Sequence, residues 1–245
     1  MPDTRSKSRP RRRKPESRAG STLSVRNTKV RAREIASLLT RDYPDARTAL
    51  MHESAIQLLV GTILSAQCTD ARVNMVTQGL FKKYVTASDF ANARIAELEE
   101  EIRPTGFFRQ KTKSIIQCCR DIVEKFDGCV PGTMEELTSL RGVGRKTANV
   151  VLGNFFGKPA IAVDTHVRRL SWRLGLTSST NPDVIEQDLM ELLPQDEWRP
   201  FANALILHGR AVCSERKPNC GACLMSPLCP SSMAEPLRLG PAKRP

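Results

Sequence analysis

The sequence predicts an all-α protein, and two observations support this prediction. Apolar residues recur at intervals of three and four, as one face of an α-helix requires, and no segment alternates between apolar and polar residues as a strand would. The 245 residues are enough for one large core or two small ones. No apolar run is long enough to span a bilayer, so we do not expect a membrane partner.

The amino-terminal half contains five predicted helices, separated by glycine, proline or polar capping residues. Ser54 and Asp70 are predicted to cap the second and third helices, and Asp89 or Asn92 begins the fourth. The ranges are 30–42, 54–64, 70–84, 89–102 and 111–126.

The carboxyl-terminal half contains five more predicted helices. Thr133 and Glu136 have the spacing of a capping box, and Asn181 and Pro182 are typical of an N-cap followed by a first-turn proline. The ranges are 133–140, a helix that ends at 156, a helix from 164 or 165 to 174, 181–193 and 196–212.

The net charge of +12 is concentrated at the amino terminus. Residues 1–30 contain ten lysines and arginines against Asp3 and Glu16, a net charge of +8. We expect residues 1–27 to be a disordered basic tail that binds a polyanion, with nucleic acid favoured. A tail that only aids solubility is the alternative. No apolar h-region follows the arginines, so we expect no secretory signal.

Four of the eight cysteines lie within seventeen residues, in the spacing Cys213-x6-Cys220-x2-Cys223-x5-Cys229. Four thiolates suit either tetrahedral zinc or a [4Fe–4S] cluster, and the spacing alone does not decide between them. Disulfides are a weaker third alternative. The other cysteines are scattered through helical patterns, which is typical of free thiols in a reducing compartment.

The stretch 140–149, Leu-Arg-Gly-Val-Gly-Arg-Lys-Thr-Ala-Asn, predicts a tight turn that leads into a helix. Gly142 and Gly144 permit backbone angles and close approaches that a Cβ would block. Unpaired N–H groups at the helix start, together with Arg145, suit a phosphate. Nearby cations also favour a neutral Lys146 amine, which is the nucleophilic form. The alternative is an ordinary link between two helices.

Asp164 is a carboxylate at a predicted helix start, in Val163-Asp-Thr-His166. It could take up a proton or stabilise a positive charge that develops on a substrate, and the plain alternative is a helix N-cap. A carboxylate near Lys146 would also favour the charged amine, which opposes the effect of the neighbouring cations.

Three further side chains are candidates for contact with nucleic acid. Gln67 lies where the second helix ends and could hydrogen-bond to a base edge, although most such glutamines are only solvated. Arg216 and Lys217 lie inside the first span of the cysteine motif, so a metal there could shape a basic finger.

Four motifs in chain order together resemble endonuclease III, a family of helix–hairpin–helix DNA glycosylases of base excision repair. They are Ser65-Ala-Gln-Cys-Thr-Asp70, the stretch Leu140 to Val151, Val163-Asp-Thr-His166 and the cysteine spacing. The resemblance spans about residues 28–230 and implies a two-lobed fold. Residues 48–158 would form a six-helix barrel with the hairpin, 28–47 plus 159–230 an iron–sulfur cluster domain with a carboxyl-terminal cluster loop, and 231–245 a flexible tail.

The resemblance implies a bifunctional N-glycosylase and AP lyase that removes oxidised pyrimidines from damaged duplex DNA. Lys146 would attack C1′ of a flipped nucleotide, Asp164 would assist, and Gln67 would fill the gap that the base leaves. Further DNA contacts would come from Gly142, Gly144, Arg145, Arg216 and Lys217. The ligands of a structural [4Fe–4S] cluster would be Cys213, Cys220, Cys223 and Cys229.

Two alternatives are a monofunctional glycosylase and a zinc-stabilised DNA-binding module without catalysis. Adenine glycosylases of this superfamily lack the hairpin lysine and carry a glutamate in the second helix, where this chain has Gly61-Thr-Ile-Leu64. Lys146 therefore favours the lyase-competent branch.

The chain departs from the family pattern at three places. Arg141 replaces a proline, Cys68 a small apolar residue and Phe107-Phe108 a Leu-Tyr pair, and the last change leaves the lesion preference open. We expect a monomer, located at the nucleoid in the cytoplasm of a bacterium, or in the nucleus or mitochondrion of a eukaryote.

Overall fold

The computed structural model describes residues 25–234, which contain α-helices and short 3₁₀-helices but no strand. The predicted all-α class is confirmed. None of the helices in this range is long and apolar enough to cross a membrane. The predicted basic tail up to residue 24, and residues 235–245 of the predicted carboxyl-terminal tail, lie outside the described residues.

Short turns join the α-helices. Their ranges are α1 Val25–Asp42, α2 Ala55–Leu64, α3 Asp70–Lys83, α4 Ala87–Ala91, α5 Ile95–Ile102, α6 Phe108–Phe126, α7 Met134–Ser139, α8 Arg145–Asn154, α9 Thr165–Arg173, α10 Pro182–Leu192 and α11 Trp198–Ala211. The 3₁₀-helices are Arg103–Thr105, Gln195–Glu197, Cys220–Ala222 and Ser226–Leu228.

Two helix starts differ from the prediction near the amino terminus. Helix α1 begins at Val25, so the last three residues of the predicted tail are helical. Thr69 rather than Asp70 caps α3, because the Thr69 hydroxyl accepts the Arg72 N–H at 3.3 Å. Asp70 is therefore free to use its carboxylate elsewhere.

The helix predicted from Asp89 or Asn92 ends at Ile102 as expected, but it begins at Ile95, and a separate short helix precedes it. Thr86 and Asp89 form a capping box that starts α4 at Ala87. Asn92 ends it, with its side-chain amide donating to the Ser88 carbonyl at 2.9 Å, and α5 starts at Ile95.

The apolar side chains form two separate cores. The first contains residues of α2 to α8, among them Leu58, Phe90 and Ile115. The second contains residues of α1 and α9 to α11, among them Ile35 and Phe201. The exact lobe boundaries at residues 48–158, and at 28–47 plus 159–230, stay a prediction.

The segment between α8 and α9 touches both cores. Ala160 and Ala162 pack in the first core, whereas Ile161 and Val163 pack in the second. Successive side chains of an extended chain point in opposite directions, so this alternation requires the segment to run along the boundary. It therefore brings Asp164 to the junction of the two cores.

Arg31 ties α1 to the end of α9 and to the carboxyl-terminal loop. Its buried guanidinium donates to the carbonyls of Leu174, of Gly175 at 2.8 Å and of Leu228 at 3.2 Å. Burial lowers the pKa of Arg31, since a charge in the interior loses its hydration. The three carbonyls replace part of that hydration.

We predict that Arg31→Met lowers the free energy of unfolding by about 3 kcal/mol, because one buried and two partly buried carbonyls lose a charged donor. Urea unfolding followed by circular dichroism measures this change. Arg33→Met is the control, since Arg33 is exposed on the same helix and its loss should change stability by less than about 0.5 kcal/mol. Equal losses in the two variants would contradict the assigned role of Arg31.

Candidate active site

Lys146 and Asp164 both line a cleft between the two cores. Both line a cavity of about 520 Å³ that also contains Gln67 and His166. An adjoining pocket of about 70 Å³ is again lined by Lys146 and Asp164. The structure thus brings together Gln67, Lys146 and Asp164, which the sequence singled out from three separate motifs.

The hairpin presents Lys146 on the first turn of α8, with its side chain exposed. Gly142 has a φ of +82°, and a Cβ there would lie 3.0 Å from the Ser114 Cβ. Gly144 is the N-cap, and no side chain in the described part of the chain caps α8. The N–H groups of the first turn therefore remain available to an anion, in addition to the positive end of the helix dipole.

Asp164 is the N-cap of α9. One carboxylate oxygen, Oδ1, accepts the N–H groups of His166 and Val167, both at 2.8 Å. Oδ2 makes no hydrogen bond with any residue between 25 and 234. The plain interpretation as a cap is confirmed, and capping leaves one oxygen for chemistry in the cleft while it fixes the direction of the carboxylate.

Arg145 is held by a carboxylate from the second core. Its Nε and Nη2 donate to the two oxygens of Glu186 at 2.8 and 2.7 Å, and the Glu186 side chain is only 3% exposed. These hydrogen bonds raise the pKa of Arg145. The predicted contact between Arg145 and DNA stays a prediction. Its charge is compensated by Glu186.

The sequence reasoning did not single out two residues that line both cavities, Asp70 and Arg210. Arg210 Nη2 lies 2.7 Å from Asp70 Oδ2, which joins α3 of the first core to α11 of the second. Asp70 belongs to the Ser65 to Asp70 motif but was interpreted only as a helix cap. Arg210 has no local signal, since its partner is far away in the sequence.

The four clustered cysteines surround a cavity of about 300 Å³ in the second core region. Arg173 Nη1 donates to the Cys213 sulfur at 3.3 Å, and the His208 Nε2 lies 3.3 Å from the Cys223 sulfur. Burial raises the pKa of the Cys223 and Cys229 thiols, and the neighbouring cysteines raise it further. Four thiolates at this place thus require a positively charged group between them.

Arg216 and Lys217 are exposed on the loop between the first two cysteines. The Ser214 hydroxyl donates to the Lys217 carbonyl at 2.6 Å and accepts the Lys217 N–H at 3.3 Å, which closes a tight turn. Neither basic side chain lines the cleft that contains Lys146. Their contact with DNA stays a prediction.

The family described as HhH-GPD superfamily base excision DNA repair protein matches residues 60–195. The endonuclease III of Synechocystis sp. (strain ATCC 27184 / PCC 6803 / Kazusa) is 56% identical over 207 residues, which cover 84% of this chain and 94% of that relative.

Two solved structures with DNA also resemble this chain, each with a TM-score of 0.80 and 42% identity. One is a non-covalent endonuclease III–DNA complex, in which the match covers 83% of this chain and 95% of that chain. The other is a trapped endonuclease III–DNA covalent intermediate in an estranged-adenine complex, with coverages of 83% and 96%.

The two hairpin glycines should respond differently to alanine. Gly142→Ala should cost about 1–2 kcal/mol of stability, because its φ of +82° is unfavourable for alanine and its Cβ would press on Ser114. Gly144→Ala should cost less, since that glycine has a φ of −91° and a Cβ there meets nothing within 4 Å. Urea unfolding of both variants measures the difference, and a larger loss for Gly144→Ala would show that the hairpin has another conformation.

Proposed function

This chain belongs to the endonuclease III family of the HhH-GPD superfamily, and from that premise we propose that it is a bifunctional DNA N-glycosylase and AP lyase of base excision repair. The observation that carries this proposal is the pair of Lys146 and Asp164 in one cleft, the amine at a helix start and the carboxylate fixed as an N-cap. The covalent DNA intermediate trapped with an endonuclease III supports it.

Lys146 is placed to act as the nucleophile. It is exposed to the cleft and makes no hydrogen bond or ion pair with residues 25–234, so its amine is available to a substrate. The amine attacks C1′ of the flipped nucleotide, the bond from C1′ to the base breaks, and the base leaves with the electron pair and takes up a proton. The nitrogen then loses a proton, and its lone pair forms a double bond to C1′ while the bond from C1′ to O4′ breaks and O4′ takes up a proton. The opened sugar is thus joined to Lys146 as a protonated Schiff base.

The Schiff base makes the C2′ proton acidic, and removal of that proton expels the 3′ phosphate by β-elimination. Asp164 assists, either by taking up a proton or by stabilising the positive charge that develops on the sugar. Its capping hydrogen bonds hold Oδ1, so the carboxylate cannot turn away from the cleft without losing two bonds of 2.8 Å.

The substrate class that we propose is duplex DNA with an oxidised pyrimidine. A base inside a duplex cannot reach Lys146, so the nucleotide must leave the stack and enter the cleft. Gln67, which is exposed at the cleft on a loop with a φ of +53°, would fill the gap. The uncapped N–H groups at the start of α8, which follows Gly142 and Gly144, would bind a phosphate of the same strand.

The four cysteines fit a [4Fe–4S] cluster better than a zinc ion. A zinc ion needs its sulfur ligands within about 2.3 Å of one point. In the described part of the chain no three His, Cys, Asp or Glu side chains are grouped so that they could hold one metal ion. The cysteines instead surround a space of about 300 Å³, which suits a larger group. The cluster would stabilise the loop from Cys213 to Cys229, and none of the steps above uses it.

The mechanism predicts different defects for the two central residues. Lys146→Gln keeps the length and polarity of the side chain but removes the amine, so the variant should bind lesion DNA and form no adduct under borohydride. Asp164→Asn keeps the capping oxygen, so stability should change little, while DNA affinity should hold or rise as a negative charge disappears. Its turnover should fall by roughly 10²–10⁴-fold.

Borohydride trapping and single-turnover kinetics on duplexes with thymine glycol measure both effects. Wild-type protein and a duplex without a lesion are the controls. A Lys146→Gln protein that still forms the adduct in near wild-type yield would refute the assignment of the nucleophile. Glycosylase activity of the wild type without any adduct would indicate a monofunctional enzyme.

The cluster proposal has a separate test. Cys220→Ser should remove the visible absorption of the purified protein and lower its solubility, because the carboxyl-terminal loop loses the group that folds it. Cys129→Ser is the control, since Cys129 is exposed and outside the motif. Iron and zinc analysis of the wild type distinguishes the two metals, and a coloured, soluble Cys220→Ser protein would contradict the assignment.

A further inference from the structure

Two exposed loops of the first core contain backbone conformations that ordinary residues rarely adopt. Gln67 has a φ of +53° and Phe107 a φ of +47°. Both side chains are exposed, Phe107 to 66%. A non-glycine residue in the left-handed region persists only where its surroundings fix it, and such positions concentrate at functional sites.

A single buried ammonium connects the two loops. Lys111 Nζ donates to the Leu64 carbonyl and to the Thr105 carbonyl, both at 2.8 Å. Leu64 precedes Gln67 by three residues, and Thr105 precedes Phe107 by two. The backbone N–H of Lys111 also donates to the Phe107 carbonyl at 3.0 Å. Lys111 therefore links the segment before Gln67 to the segment before Phe107.

This position is unfavourable for a charge. Lys111 is only 4% exposed, and burial lowers its pKa. It lies in the first turn of α6, where the helix dipole disfavours a cation. None of the salt bridges within residues 25–234 includes it. The carbonyls of Leu64 and Thr105 compensate the charge of Lys111, and the Leu64 carbonyl lies at the negative end of α2.

We propose that Lys111 is a positioning residue that fixes the Gln67 loop and the Phe107 loop at a set distance from each other, so that the protein can keep a damaged nucleotide out of the duplex. The proposal rests on the proposed function. Extrusion of a base requires protein groups to take its place in the stack, and a displacement of about 1 Å can reduce a rate by about 10²-fold. An abasic site has no base to extrude, so its cleavage should depend less on the relative position of the two loops.

Lys111→Met separates the two steps, because it keeps the volume of the side chain and removes the ammonium. Single-turnover excision of thymine glycol should fall by roughly 10–100-fold, whereas β-elimination at a preformed abasic site should fall by less than about threefold. Lys125→Met is the control, since Lys125 is exposed near the other end of α6, and both of its rates should equal those of the wild type.

A double-mutant cycle tests whether Lys111 acts through the loop. Gln67→Ala should slow excision in the wild type but add little to Lys111→Met, because the glutamine is already misplaced there. If Lys111→Met does not fold, Lys111→Gln is used in the same cycle, since its neutral amide still has donors but is too short to reach both carbonyls.

The outcomes separate this inference from the proposed function. Equal losses of excision and elimination in the Lys111 variant, or fully additive effects with Gln67→Ala, would show a general structural role and overturn the inference. A wild-type protein that neither excises the lesion nor cleaves the abasic site would instead count against the proposed function.

Discussion

Lys146 and Asp164 are carried by different hydrophobic cores, so the proposed chemistry depends on what fixes one core against the other. The extended segment before α9 provides the covalent part of that constraint. Ala160 and Ala162 pack on one side and Ile161 and Val163 on the other, so a slide by one residue would put large side chains in the places of alanines and leave the second core underfilled. A shift by a single residue would also remove the carboxylate from the cleft.

Two ion pairs complete the connection, and they differ in strength. Arg145 meets Glu186 through two hydrogen bonds, and the carboxylate is nearly inaccessible, so loss of Arg145 would leave an uncompensated carboxylate in the interior. Arg210 and Asp70 are more exposed, at 43% and 21%, and solvent weakens their attraction. The first turn of α8, which carries the proposed nucleophile, is therefore attached by the stronger pair.

Local sequence signals predicted most of the fold, because helix periodicity and capping depend on neighbours in the chain. Ser54, Thr133 and Asn181 all cap helices as expected. Lys146 and Asp164 were found through motifs whose order identifies a family. The pairing of Arg145 with Glu186, and the place of Arg210, could not be predicted, since those partners meet only after both cores have formed. Lys111 was missed for the same reason, because its burial follows from packing between distant segments.

The charges of this protein fall into two groups with different consequences. The first group is buried and consists of Arg31, Lys111 and Glu186. Each of them is hydrogen-bonded to carbonyls or to an opposite charge, so each fixes the relative position of the segments that it joins. Lys146 is exposed and has no partner within residues 25–234, so its interactions are left for a substrate. A site that must engage a polyanion and then react with it needs both kinds of charge. Glu186 holds the first turn of α8 through Arg145, and the unpaired amine of Lys146 on that turn is the proposed nucleophile.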